Sequence, residues 1–131
     1  MNEVIDLFYK FDKYKNKSHK KLEEYLQPSI NLNQHKKFFE NNELIGFVSW
    51  AYLHNLVQER FKETGKIKTS EWKSGNNLWL IDIVSIRNTF VIMRWVYNHF
   101  RKELKVNTSI NWLRTDDKIY RVGEKFKRDF H

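Results

Sequence analysis

Apolar residues recur at steps of three and four near the start of the chain (Val4, Leu7, Phe8, Phe11, Tyr14) and predict an amphipathic helix over residues 3–15. Ser18 suits the N-cap of a short second helix that turns Leu22, Tyr25 and Leu26 inward, and Pro28 is expected to help end it. A short mixed stretch, 34–40, then meets Asn41-Asn42, a hairpin turn, before the apolar strand 44–52. Leu53, Leu56, Val57 and Phe61 predict a helix closed by Gly65, and polar residues 66–71 predict a loop leading to Trp72. After a turn at Ser74-Gly75-Asn76-Asn77, residues 78–84 form the most apolar run of the chain, a strand buried on both faces. Asn88 is placed to cap a helix to about Arg101 that carries Ile92, Trp95, Val96, His99 and Phe100. Val106, Ile110 and Trp112 mark a further strand, so that strand, helix and strand form a unit with parallel pairing. From Asp116 the chain is basic, and Ile119, Tyr120, Val122, Phe126 and Phe130 do not decide between helix and strand.

The order of elements predicts an α/β (α+β) fold, a mixed sheet flanked by helices. With 131 residues, 40% hydrophobic and 16% aromatic, the chain has material for one core, so residues 1–131 are read as a single domain. It has no cysteine, which excludes a disulfide framework, a thiolate-bound zinc and a thiol nucleophile. No other metal-ligand spacing stands out around His35 or His54, and no metal site is expected. There is no apolar run of about 18 residues and no basic-then-apolar leader, so no transmembrane segment is expected and a cytoplasmic protein is. The net charge of +8 gathers in two clusters, Lys10 to Lys21 and Lys118 to Arg128, and suits an acidic partner, whether nucleic acid or an acidic protein.

One residue breaks the apolar run. Strict alternation puts Asp82 on a face with Leu80 and Val84, opposite Trp79, Ile81 and Ile83. A carboxylate there is destabilising unless a donor or cation lies beside it, so Asp82 is either a structural acid with a fixed partner or part of a functional site. His19 falls in the first turn of the second helix. It is either simply exposed or a base, since a helix N-terminus favours neutral imidazole. Trp50, Trp79, Trp95 and Trp112 fit core or an acyl slot, whereas Trp72, ahead of its strand, is the tryptophan least expected to be only core.

Phe47-Val48-Ser49-Trp50-Ala51-Tyr52-Leu53, then Glu71-Trp72-Lys73-Ser74-Gly75 and Trp79-Leu80-Ile81-Asp82, resemble the RTX toxin-activating (haemolysin-activating) lysine acyltransferases. Gln27-Pro28-Ser29-Ile30, Asn33-Gln34 and Ser18-His19-Lys20 extend the resemblance, which runs from about Ser18 to Phe100. The resemblance implies a GNAT-like fold and an often dimeric cytoplasmic enzyme. It implies transfer of a fatty acyl chain from acyl-acyl carrier protein to an internal lysine of a protein target, an RTX-type protoxin. It also implies no tightly bound cofactor, a catalytic histidine at His19 and a catalytic aspartate at Asp82. The thioester arm would lie where two parallel strands splay apart, here the Asp82 strand and the strand 106–113.

A lysine ammonium, with a pKa of about 10.4, must lose a proton before it can attack a thioester. In that scheme His19 is the general base and Asp82 orients its imidazole, which would also satisfy the buried carboxylate. Amides around 87–90 are candidate oxyanion donors, and Trp72, Ser74, Arg87 and Asn88 candidate substrate contacts. A histidine that takes the acyl chain itself stays open beside direct transfer. The competing classes are a small basic nucleic-acid binder, which leaves Asp82 unexplained, and a non-catalytic relative that docks a partner.

Overall fold

The computed structural model describes residues 1–103, 109–116 and 119–126, with residues 115–116 and 119–126 as backbone alone. Helices α1 (Asn2–Phe8) and α2 (His19–Asn31) precede strands β1 (His35–Glu40) and β2 (Glu43–Leu53). Helix α3 (Asn55–Thr64) and a 3₁₀ turn at Thr69–Glu71 lead into β3 (Asn77–Ser85), then α4 (Thr89–Arg101), β4 (Ser109–Asp116) and β5 (Ile119–Phe126). The strands form one sheet in the order β1-β2-β3-β4-β5, antiparallel except for the β3–β4 pair across the α4 crossover. The mixed sheet with flanking helices is the expected α/β architecture and is consistent with a GNAT-like fold. Val106 lies outside the described residues.

The local signals mostly act as their chemistry requires. The Ser18 hydroxyl accepts from the Lys21 amide at 3.1 Å and caps α2. Asn41 and Asn42 both take positive φ (50° and 66°), the pairing a tight I′ hairpin needs. Gly65, at φ 68°, closes α3. Two helix boundaries differ from expectation. The first helix stops at Phe8, because the following segment carries Lys10, Lys13 and Lys17 at helical spacing, where like charges would stack. The chain instead turns, and the Tyr9 hydroxyl donates to the Lys17 carbonyl at 3.0 Å. Pro28 does not end α2 but lies within it; the helix runs to Asn31, and Asn33 then takes a left-handed conformation at φ 55°.

The core divides by sheet face. Val4, Leu7 and Phe8 of α1 and Leu22 and Leu26 of α2 pack on Phe47 and Val84. Ala51, Leu53 and Trp79 meet Phe61 of α3. On the other side Ile92, Val96 and Phe100, spaced by four along α4, cover Val48, Trp50, Leu78, Leu80 and Ile110. Each such side chain contributes roughly 1.5–3 kcal/mol by leaving water.

Alternation along β2 is strict: Phe47, Ser49, Ala51 and Leu53 face α1–α3, while Val48 and Trp50 face α4. Along β3 it is interrupted. Ser49 pairs with Asp82 but Trp50 pairs with Leu80, so Ile81 is the extra residue of a β-bulge. The bulge separates Asp82 from Leu80. Leu80 lies with Trp50 under α4, whereas Asp82 and Val84 turn to the α1–α2 side with Ser49 and Phe47. The face assignment expected from uninterrupted alternation is corrected by that one residue.

Candidate active site

Strands β3 and β4 pair in parallel over only three residues, Leu78, Leu80 and the intervening Trp79 against Ile110, Trp112 and Asn111. Beyond these pairs β3 runs on to Ser85 and β4 to Asp116 with no pairing between them, so the strands splay. An open cavity of about 530 Å³ occupies the splay, a size suited to an organic ligand. Residues 80–84 and 112–114 form its walls, α4 contributes Met93 and Tyr97, and the turns between α1 and α2 contribute Phe11, Lys13 and Tyr14.

Asp82 lines this cavity and is 5% exposed. Its Oδ1 accepts from the Tyr25 hydroxyl at 2.8 Å and from the Tyr14 hydroxyl at 3.3 Å. Its Oδ2 accepts from the Ser49 hydroxyl at 2.9 Å, and the same Ser49 oxygen accepts from the Asp82 amide at 3.1 Å. Burial pushes the Asp82 carboxyl above the usual carboxylate range, opposed by the bonds from Tyr25 and Ser49, the charge of Lys13 and the bond from Tyr14. Burial and the neighbouring carboxylate push both phenols upward. At neutral pH Tyr14 and Tyr25 are therefore donors. The ring of Tyr25 is part-exposed, while its hydroxyl end reaches the buried acid.

The expected contact between His19 and Asp82 is not formed. His19 is the first residue of α2, more than half exposed, with Nδ1 3.7 Å from Glu23 on its own helix. Tyr25, six residues further along the helix, is the α2 side chain that reaches Asp82. Three hydroxyl groups thus do what an imidazole was expected to do for this carboxylate. The other described histidines are also engaged elsewhere: His35 stacks on Phe47, His54 caps α3 with Nδ1 accepting from the Leu56 amide, and His99 stacks on Trp95. None of the four lines the cavity.

The four residues expected to contact substrate lie outside the cavity lining as well. Trp72 is 4% exposed and packs with Leu53, Phe61 and Trp79, and its carbonyl accepts from the Tyr52 amide and the Gln34 side chain. Against expectation it is core. The Ser74 hydroxyl accepts from the His54 amide at 3.0 Å, bracing the turn before β3. Arg87 is paired with Glu40 and Glu43 across the β1–β2 hairpin, and the Asn88 side chain donates to Glu40. Helix α4 has no side-chain cap at its start and enters the cavity lining only from Met93 onward. Trp79 and Trp50 are core, while Trp112 lines the cavity.

Sequence reasoning missed Tyr14, Tyr25, Ser49 and Lys13. A signal existed: Tyr14, Tyr25 and Ser49 are the hydroxyl-bearing members of otherwise apolar inward sets, and a buried acid requires donors. Among the described residues no buried side-chain nitrogen or oxygen lacks a partner, no three metal-ligating side chains converge, and no helix is long and apolar enough to cross a membrane.

The model of the RTX toxin acyltransferase family matches residues 1–125. An uncharacterized protein of Synechocystis sp. (strain ATCC 27184 / PCC 6803 / Kazusa), sll0720, is 27% identical over 105 residues, covering 76% of this chain and 69% of its own.

Proposed function

The chain belongs to the RTX toxin acyltransferase family, and from that premise we propose that it moves a fatty acyl chain from acyl-acyl carrier protein to a lysine of an RTX-type protoxin, in the cytoplasm. Acyl transfer is the family's activity; the donor, the acceptor amine and the compartment are the proposal. The observation that carries it is the slot between splayed β3 and β4 with a buried carboxylate in its wall.

The slot can take a thioester arm along its strands, and its apolar lining, Leu80, Met93 and Trp112 among it, suits an acyl chain. Lys13 and Arg114 line the same cavity, and with the net charge of +8 they favour an acidic carrier protein and its phosphorylated prosthetic arm. The acceptor ammonium must lose a proton before it attacks the thioester, and Asp82 is the buried acid in the wall of the slot. Burial raises its pKa above the usual carboxylate range, which makes its ionised form a stronger proton acceptor than a surface carboxylate.

The test is incubation of the purified protein with carrier proteins loaded with octanoyl, myristoyl and palmitoyl chains and with lysine-bearing protoxin fragments, both partners followed by intact mass. Appearance of the acyl mass on lysine supports the proposal. A carrier that stays loaded with every chain, alongside salt-dependent binding of an oligonucleotide, would move the assignment to nucleic acid.

A further inference from the structure

Helix α4 presents a ridge to solvent that its packing does not explain. Ile92, Val96 and Phe100 face the sheet, and Met93 and Tyr97, on the neighbouring row, line the slot. Outside both rows Phe90 is 72% exposed and Val91 56%, and Arg94 holds its guanidinium over the Phe90 ring, 4.8 Å from the centroid. Arg101 follows two turns beyond Arg94, about 10 Å along the axis. Among the described residues neither Arg94 nor Arg101 is ion-paired, whereas Arg60 and Arg87 both are. Helix α4 itself carries no acidic residue. A cation at a helix C-terminus is ordinary and accounts for Arg101. It does not account for Arg94 in mid-helix, nor for two apolar side chains left in water in the first turn.

We propose that this ridge, formed by Phe90, Val91, Arg94 and Arg101, is where the acidic carrier protein docks to hand its acyl arm to the slot. The proposal rests on the acyl-transfer reading and adds to it the surface that receives the donor. Position favours this occupant. Phe90 lies one turn before Met93 and Arg94 one turn before Tyr97, the spacing of neighbours on a helix surface, so a partner on the ridge has the slot lining beside it. Charge favours it as well: Lys13 and Arg114 line the slot, so an acidic partner meets the same sign on the ridge and at the cavity. An exposed phenylalanine beside arginine is also the composition on which protein interfaces concentrate their affinity. The acceptor suits the ridge less, because a lysine-bearing segment brings a cation towards Arg94 and Arg101.

None of the four side chains lines the slot. Their loss should therefore weaken capture of the carrier without changing the reaction of a carrier already bound, raising KM for the carrier and sparing kcat. Binding that depends on this charge should also weaken as salt rises.

The deciding experiment measures the affinity of octanoyl-, myristoyl- and palmitoyl-loaded carrier protein for the full chain at low and high salt, and transfer to a lysine peptide against carrier concentration. Wild type is compared with Phe90→Ala, Arg94→Glu, Arg101→Glu and a charge-matched control, Lys66→Glu. Lys66 is exposed just beyond α3, which packs on the opposite face of the sheet. All the substituted side chains are exposed, so the variants are expected to fold, and circular dichroism checks it. Expected are affinity losses of about tenfold or more for Arg94→Glu and Phe90→Ala, a smaller loss for Arg101→Glu, kcat at saturating carrier unchanged, and Lys66→Glu close to wild type. Wild-type affinity in both Arg94→Glu and Phe90→Ala, or an equal loss in Lys66→Glu, overturns the proposal while leaving acyl transfer standing. So do ridge variants that keep the carrier but lose a protoxin fragment, phosphatidylglycerol vesicles or self-association. Wild type that neither binds nor discharges any loaded carrier overturns the acyl-transfer reading, and this proposal with it.

Discussion

Ser49→Ala is the substitution that most directly weighs the hydrogen bonds holding the buried acid. Ser49 is fully buried and its hydroxyl serves Asp82 twice, donating to Oδ2 at 2.9 Å and accepting from the Asp82 amide at 3.1 Å. A bond to an ionised group contributes about 1.5–3 kcal/mol, and a buried N–H left without an acceptor costs about 1–3 kcal/mol. Removal of one oxygen adds little cavity, so the expected loss at neutral pH is about 3 kcal/mol, a large part of the stability of a domain this size. The pH dependence is specific. Asp82 has a raised folded-state pKa, so its stabilising share is full below the unfolded value of about 3.9 and is lost as pH rises through the folded value. Ser49→Ala removes a bond that lowers that pKa, moving it further up, so the gap between variant and wild type should widen as pH rises through the Asp82 titration. Urea unfolding followed by circular dichroism across that titration measures it. A loss below about 1 kcal/mol at neutral pH, or a gap that narrows as pH rises, would refute the hydrogen-bond account; so would simple additivity with Asp82→Asn in a double-mutant cycle.

Gly75→Ala should cost about 1–3 kcal/mol in the same assay, because a Cβ there would lie 2.5 Å from the backbone nitrogen and Cα of His54. Asn42→Gly should leave the protein as stable or a few tenths of a kcal/mol more so, since Asn42 sits at φ 66° in the hairpin turn; a thermal melt that falls by several degrees would contradict the turn assignment. Arg87→Ala, though it removes pairs to both Glu40 and Glu43, should cost less than about 1 kcal/mol, and less still in high salt, because all three side chains are well exposed.

Much of this architecture is legible in the sequence because local chemistry decides it. The Asn41-Asn42 turn, the Ser18 cap, the Gly65 stop and the four-residue spacing along α4 each act within a few residues of themselves. The buried acid at Asp82 was legible as polarity inside an apolar run, and the parallel pairing beside it as strand, helix and strand in succession; the splay of those two strands was implied by the family resemblance alone. What was not legible depends on pairs distant in the chain. The bulge at Ile81 exists only in the register between β2 and β3, and it alone determines which side of the sheet Asp82 faces. Tyr14 looked like the last apolar position of a helix; because the helix ends at Phe8, it instead swings into a turn and delivers its hydroxyl to a residue 68 positions away. Trp72, placed in a loop by its polar neighbours, is buried by Phe61 and Trp79, which no local pattern reports.

The brevity of the β3–β4 pairing has a mechanical consequence. The sheet is two panels, β1-β2-β3 and β4-β5, each laced antiparallel along most of its length and joined by a seam three residue pairs long. A tilt about that seam changes the width of the gap without breaking a ladder inside either panel. A ligand wedged into the gap would load that short seam before any ladder inside either panel.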